Sequence, residues 1–182
     1  REALRRVRRS YLAALAKIDT DAPEITDKMP LNIRYVGHAL AALPEARVLF
    51  LRRDPRAVCW SNWSRNFRGR GNNFGNDMED LARMYRMHDA VMEVYRTAYP
   101  DRITDVPYER LTEHQEEESR KLVAAAGLDW EPACLDFHET RRAVRTASKV
   151  QVRQKMYTGS SEAWRRYEAH LGPLLAALEG RD

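Results

Sequence analysis

This chain is short of three things, each of which would have settled its class early. It lacks a long apolar run: nothing in its 182 residues approaches the roughly 18 consecutive apolar positions that a membrane-spanning helix needs. Membrane insertion is therefore not expected. It has little cysteine. Cys59 and Cys134 are the only two, neither sits in a Cys-x-x-Cys pair, and no histidine cluster accompanies them, which argues against a zinc site and against a disulfide framework. Both read as small buried thiols. It also lacks a dominant charge: 31 Lys and Arg against 27 Asp and Glu leave a formal +4. Such an excess suits an anionic ligand but is too small to indicate nucleic acid. The basic stretch Arg1 to Arg9 is not followed by the continuous apolar core of a signal peptide. The expected setting is soluble, reducing and cytoplasmic.

At 43% hydrophobic and 32% charged, the chain can build one core under a solvated surface, so residues 1–182 are expected to form a single domain. The chain opens on Arg1-Glu2-Ala3-Leu4 with no Met, inside an amphipathic pattern (Leu4, Val7, Tyr11, Leu12, Leu15) that predicts a helix over 1–18. An upstream segment is accordingly expected. Glu24 to Lys28 is a short strand candidate that stops at Met29-Pro30, because proline disfavours helical geometry in the residue before it. A helix is expected from Leu31 to Leu43. Val48-Leu49-Phe50-Leu51 is the clearest strand, a continuous apolar run of the kind covered on both faces of a parallel sheet. It runs into Arg52-Arg53-Asp54-Pro55, where Asp54 suits a helix N-cap and Pro55 a first helical residue, and the helix is expected to continue to Phe67.

Residues 68–76, rich in Gly and Asn, read as a loop. A long helix follows from Asp77 to Ala98, then a strand from Arg102 to Pro107. Further helices are expected from Thr112 to Ala126, closed by Gly127, from Glu131 to His138, and from Glu162 to Leu178 with a break near Gly172-Pro173. Strands alternating with helices predict an α/β domain with a small parallel sheet. About three strands are few for such a sheet.

The segment from Leu51 to Arg65 carries the functional signal. Ligands of open α/β sheets bind at the C-terminal ends of strands, and Arg53 stands at such an end. Ser61 and Arg65 are four apart, so on a helix they share a face that Arg53 can reach from the preceding turn. Two guanidinium groups and a hydroxyl make a phosphate cradle, since Arg offers a planar fork of donors and Ser a neutral one. A surface helix decorated with arginines satisfies the same spacing.

The pattern of Arg53, Ser61 and Arg65 after an apolar strand resembles the 3′-phosphate-binding motif of sulfotransferases. The chain is most similar to bacterial sulfotransferases often attached to tetratricopeptide repeats, and more distantly to tyrosylprotein sulfotransferases. Other segments match in order. Asp27-Lys28-Met29-Pro30 resembles the family's strand-end Lys-x-Pro segment, which implies that Lys28 lies near the sulfuryl group. Pro107-Tyr108-Glu109-Arg110-Leu111 resembles its Tyr-Glu-x-Leu segment, implying that Tyr108 contributes to the nucleotide pocket. Arg145 to Val152 resembles a late loop in which a serine, here Ser148, reaches the donor's 5′ phosphosulfate. Trp164 falls where the family has a tryptophan, but the preceding basic residue is replaced by Ala163.

The resemblance implies a P-loop-NTPase-like parallel sheet flanked by helices, with the N-terminal strand and the 5′-phosphosulfate loop missing from this chain. It implies transfer from 3′-phosphoadenosine 5′-phosphosulfate to a hydroxyl or amine acceptor, without a metal. Lys28 and Ser148 would be catalytic, and Arg53, Ser61, Arg65 and Tyr108 would bind the donor. No catalytic base is nominated. The partners implied are a sulfate acceptor and a tetratricopeptide-repeat region, with neither nucleic acid nor a membrane. Three rivals remain open on the sequence: a degenerate module that binds nucleotide without turnover, a P-loop kinase, and a basic helical nucleic-acid binder.

Overall fold

The structure is a computed structural model that describes residues 1–18, 20–65, 73–139 and 153–180. These group into two compact units, each built from two stretches of chain. One takes Arg1–Val48 with His88–Ile103, the other Leu49–Met87 with Thr104–Asp182.

In the first unit, helix α1 spans Glu2–Leu15 and buries none of its residues completely. Polar side chains tie it down instead: Arg8 Nη1 donates to Glu45 at 2.7 Å, and the Tyr11 hydroxyl donates to Asp27 at 3.0 Å. The strand expected at Glu24–Lys28 does not form, and residues 24–29 carry no regular structure. The run has one large apolar residue, Ile25, and it is exposed. Asp27 spends its carboxylate on Tyr11 and on Asn32 Nδ2 at 3.1 Å. With no neighbouring strand to take its backbone groups, the segment is solvated rather than laddered.

The helix expected at Leu31–Leu43 is present in two pieces, a 3-10 helix Pro30–Tyr35 and helix α2, Val36–Ala42. Met29 is extended (φ −136°, ψ 131°), as the following proline requires. Ile33, Val36, Leu40, Leu43, Met92 and Ile103 are buried. Arg102 closes the chain against this unit. Its Nη1 donates to Leu40 O at 2.9 Å, its Nη2 to Leu43 O at 2.5 Å and Ala46 O at 2.9 Å, and its Nε to Ala46 O at 3.1 Å. The Tyr99 ring lies 5.7 Å from the same guanidinium.

Strand β1 is Val48–Arg52 and strand β2 is Ile103–Pro107. They pair in parallel, joined by helices as a parallel crossover demands. Helix α3, Pro55–Trp63, starts as predicted. The Asp54 carboxylate accepts from the Arg56 N–H at 2.8 Å and the Ala57 N–H at 3.1 Å, and Pro55 opens the first turn. Burial pushes the Asp54 carboxyl up, but the Arg56 guanidinium and those N–H groups outweigh it and hold it below its ordinary range. The helix ends at Trp63 rather than Phe67.

Helix α4, Met78–Ala98, follows with its own cap, Asp77 accepting from the N–H groups of Glu79 and Asp80 at 2.9 Å each. Helices α5, Tyr108–Glu113, and α6, Gln115–Ala126, replace the single helix expected from Thr112. Gly127 (φ 79°) closes α6, in the left-handed conformation that glycine supplies without strain. A 3-10 helix Pro132–Glu139, a second one Ser160–His170, and helix α7, Gly172–Leu178, complete the described chain. The break near Gly172-Pro173 falls as expected.

The core of the second unit is Ala57, Cys59, Leu81, Ala82, Trp164, Leu171, Leu174 and Ala177. Helix α3 thus packs against the 160–170 segment and α7. Arg86 Nη1 donates to Ala177 O at 2.8 Å, a carbonyl at the end of α7 that also accepts from the Gly180 N–H at 3.2 Å. Cys59 is buried and its thiol is pushed up to about 12 by burial, with Asp54 adding to the effect. Cys134 is exposed, against the expectation that both thiols are buried. It lies on the open side of the Pro132–Glu139 helix, in which no residue is fully buried.

The described residues are mainly helical with a small parallel two-stranded sheet, which fits an α/β class. The larger P-loop-NTPase-like sheet is not seen among them, and the segment expected to supply a third strand is irregular.

Candidate functional site

Arg53 is the first residue past β1, where the backbone leaves the sheet and turns into α3. Its carbonyl accepts from the Tyr85 hydroxyl of α4 at 3.1 Å, so the turn is held from outside as well as by the Asp54 cap. Its guanidinium is half-buried and committed at Nε and Nη2. Nε donates to Ser161 Oγ at 3.0 Å, and Nη2 donates to Ser160 O at 2.7 Å and toward Ser160 Oγ at 3.3 Å. The Tyr108 ring lies under the guanidinium, 4.7 Å from its centroid to Cζ, and the Tyr108 and Ser160 hydroxyls are hydrogen-bonded at 2.9 Å. Nη1 alone has no partner among the described residues, so two charge-assisted donors of the fork are unspent.

A carboxylate completes the set. Glu109 Oε1 accepts from the Ser161 hydroxyl at 2.6 Å and from the Asp54 N–H at 3.0 Å. Burial pushes the Glu109 carboxyl up. The hydrogen bonds from Ser161 and from the Asp54 N–H, and the Arg53 charge, more than offset this and hold it below the usual range. These groups border a cleft of about 480 Å³ lined by Arg52, Arg53, Pro55, Tyr85, Asp105, Pro107 and Glu109. It opens at the C-terminal ends of β1 and β2, where open α/β sheets hold their ligands. The lining is mixed in charge, with Arg52 and Asp105 3.7 Å apart.

Of the residues nominated from the sequence, the structure brings together Arg53 and Tyr108. Ser61 is half-buried in the last turn of α3. Arg65 lies past the Ser64 cap of that helix and is exposed. Neither is among the contacts of Arg53. The shared face expected of Ser61 and Arg65 required a helix continuing to Phe67, and the helix stops before Arg65. Lys28 belongs to the first unit and is exposed on the irregular segment before Pro30. Ser148 lies outside the described residues, as does most of the 68–76 loop.

Sequence reasoning missed Ser160, Ser161, Glu109 and Tyr85. Glu109 stood inside the quoted Tyr-Glu-x-Leu segment and went unused. Gly159-Ser160-Ser161 offered a signal: a glycine before two serines at a helix start. Gly159 has φ 82°, and this left-handed turn leads directly into the Ser160–His170 helix. Elsewhere, donor atoms of Asp136, His138 and Glu139 lie within 4.8 Å of one another. They are neighbours on the Pro132–Glu139 helix, with both carboxylate residues exposed.

The model of the family described as "Sulfotransferase family" matches residues 2–132. An uncharacterized protein of Aquifex aeolicus is 39% identical over 171 residues, which is 93% of this chain and 22% of that protein. A protein-tyrosine sulfotransferase of Drosophila melanogaster is 29% identical over 128 residues, which is 70% of this chain and 26% of that protein. The chain thus spans between a fifth and about a quarter of the length of these two relatives.

Proposed function

The chain belongs to the sulfotransferase family, and on that premise we propose that it moves a sulfuryl group from 3′-phosphoadenosine 5′-phosphosulfate to a hydroxyl or amine acceptor. The observation that carries the reading is Arg53. It is a strand-end guanidinium, stacked on Tyr108, with one nitrogen of its fork unspent. In this reading Arg53 anchors the donor's 3′ phosphate, joined by Ser61 and Arg65, and Tyr108 walls the nucleotide pocket. Ser148 holds the 5′ side.

Such a transfer asks the protein for positioning and charge stabilisation. The acceptor oxygen or nitrogen attacks sulfur in line, the bond between sulfur and the bridging oxygen breaks, the electron pair leaves with the phosphate, and the acceptor's proton is released to water. The fly relative is a protein-tyrosine sulfotransferase by name, which makes a protein tyrosine the first acceptor to assay.

Calorimetry with 3′,5′-adenosine bisphosphate and with 5′-adenosine monophosphate tests the donor assignment. We expect the bisphosphate to bind at least about tenfold more tightly, as one charge-assisted phosphate contact confers, and Arg53→Ala to abolish the preference. Equal affinities in the native protein would overturn the reading.

A further inference from the structure

The residues that hold Arg53 are not those that the spacing of the sequence points to. Ser161 is buried at 7% exposure, yet its hydroxyl sits between two charged groups with both of its roles assigned. It gives its proton to Glu109 Oε1 at 2.6 Å and receives the Arg53 Nε proton at 3.0 Å. A serine hydroxyl can rotate, and which way it points is decided by its strongest acceptor. Here the acceptor is an anionic carboxylate, and the same carboxylate is fixed by the Asp54 N–H at 3.0 Å, the residue that caps α3. The chain of bonds therefore runs from the helix cap to Glu109, to Ser161, to Arg53.

On the donor reading above, we propose that Glu109 and Ser161 are positioning residues for Arg53. Glu109 orients the Ser161 hydroxyl so that its oxygen faces Nε, and this fixes the guanidinium with Nη1 as the nitrogen left for the 3′ phosphate. Ser160 and Tyr108 hold the other edge and the face. Arginine carries a long, rotamer-rich side chain, and ordering it at the moment of binding costs affinity. Here the ordering is done before any ligand arrives. The inference also explains why a carboxylate lies beside a group meant for an anion. Glu109 does not compete for the open nitrogen, because its contact with the guanidinium passes through Ser161.

The experiment is the same calorimetric pair of nucleotides on Ser161→Ala and Ser161→Thr, with the Arg53 Nε–H exchange rate read by NMR. In Ser161→Ala we expect the bisphosphate preference to fall about five- to tenfold, the scale of one ordinary hydrogen bond lost. The affinity for 5′-adenosine monophosphate stays unchanged and the Nε–H exchanges faster. Ser161→Thr, which keeps the hydroxyl, restores both. Glu109→Gln, which removes the charge and keeps an acceptor, lowers the preference in the same direction by about two- to threefold, and serves where Ser161→Ala fails to fold. A native protein with the preference and a Ser161→Ala variant that retains it would overturn the positioning role and leave the donor assignment standing. A native protein without any preference overturns both, even where Nε–H exchange responds to the substitution.

Discussion

Arg102 in the first unit and Arg53 in the second are built from the same parts and finished differently. Arg102 immediately precedes β2 and Arg53 immediately follows β1, and each is accompanied by a tyrosine ring, Tyr99 at 5.7 Å and Tyr108 at 4.7 Å. Arg102 uses every nitrogen on main-chain carbonyls, those of Leu40, Leu43 and Ala46. Arg53 spends Nε and Nη2 on the two serines and keeps Nη1 without a partner among the described residues. The first arrangement closes a fold, since it ties the end of α2 at Leu40 and the turn from Leu43 to Ala46 to one side chain. The second is pre-ordered but incomplete. What separates the two arginines among the described residues is a single unspent nitrogen and not burial, charge or aromatic stacking.

The sharpest test of this contrast is to remove each guanidinium in turn. Arg102→Ala removes the donor of the Leu40 and Ala46 carbonyls, while Leu43 O keeps the Ala46 N–H at 3.1 Å, and we expect it to cost about 2–3 kcal/mol in urea unfolding. Arg53→Ala is expected to cost less than about 1 kcal/mol, because buried Ser161 keeps its bond to Glu109 and Ser160 its bond to Tyr108, while it removes the bisphosphate preference. Equal destabilisation by the two would erase the distinction.

The second test uses pH. The Asp54 and Glu109 carboxyls are both held below their ordinary values of 3.8 and 4.5. A depressed folded-state value means that the stabilisation is full above the ordinary value and is lost as pH falls through the lowered one. The native protein should therefore lose stability below about pH 4.5, and Glu109→Gln should lose less over that acid window. The gap between the two melting temperatures should narrow as the pH drops. A constant gap would show that Glu109 carries no charge-dependent share of the stability.

The smallest effect concerns the cysteines. Iodoacetamide should label exposed Cys134 in the native protein and spare Cys59, whose buried thiol is pushed up to about 12, as thiolate fraction and access both dictate. Mass spectrometry of the labelled protein reads this directly. Equal labelling would mean that the core of the second unit opens readily.

Much of the second unit was legible because its signals are local. Asp54-Pro55 announces a helix start, Gly127 a helix end, Gly172-Pro173 a break, and Val48 to Leu51 a strand, each through the chemistry of one or two residues. The strand proposed at Glu24–Lys28 failed because strands are not local. A run with one apolar residue needs a neighbour to pair with, and its own Asp27 is taken by Tyr11 and Asn32. The site was legible only at its strand end. Arg53 and Tyr108 are marked by position, whereas Ser160 and Ser161 lie more than a hundred residues from Arg53 in sequence. No periodicity connects them. The shared face expected of Ser61 and Arg65 does not form, because an i, i+4 spacing means a shared face only while the helix lasts.

Three elements, β1, α4 and β2, begin in one unit and finish in the other. The first unit is thereby interrupted by thirty-nine residues of the second, 49–87, and neither corresponds to a contiguous stretch of gene. No single truncation can isolate either one intact. During synthesis the first unit cannot be complete until residue 103 has left the ribosome, by which point Arg53 has emerged and its serines have not. The open arginine is therefore made early and must wait, with its guanidinium unclamped, until the last quarter of the chain arrives.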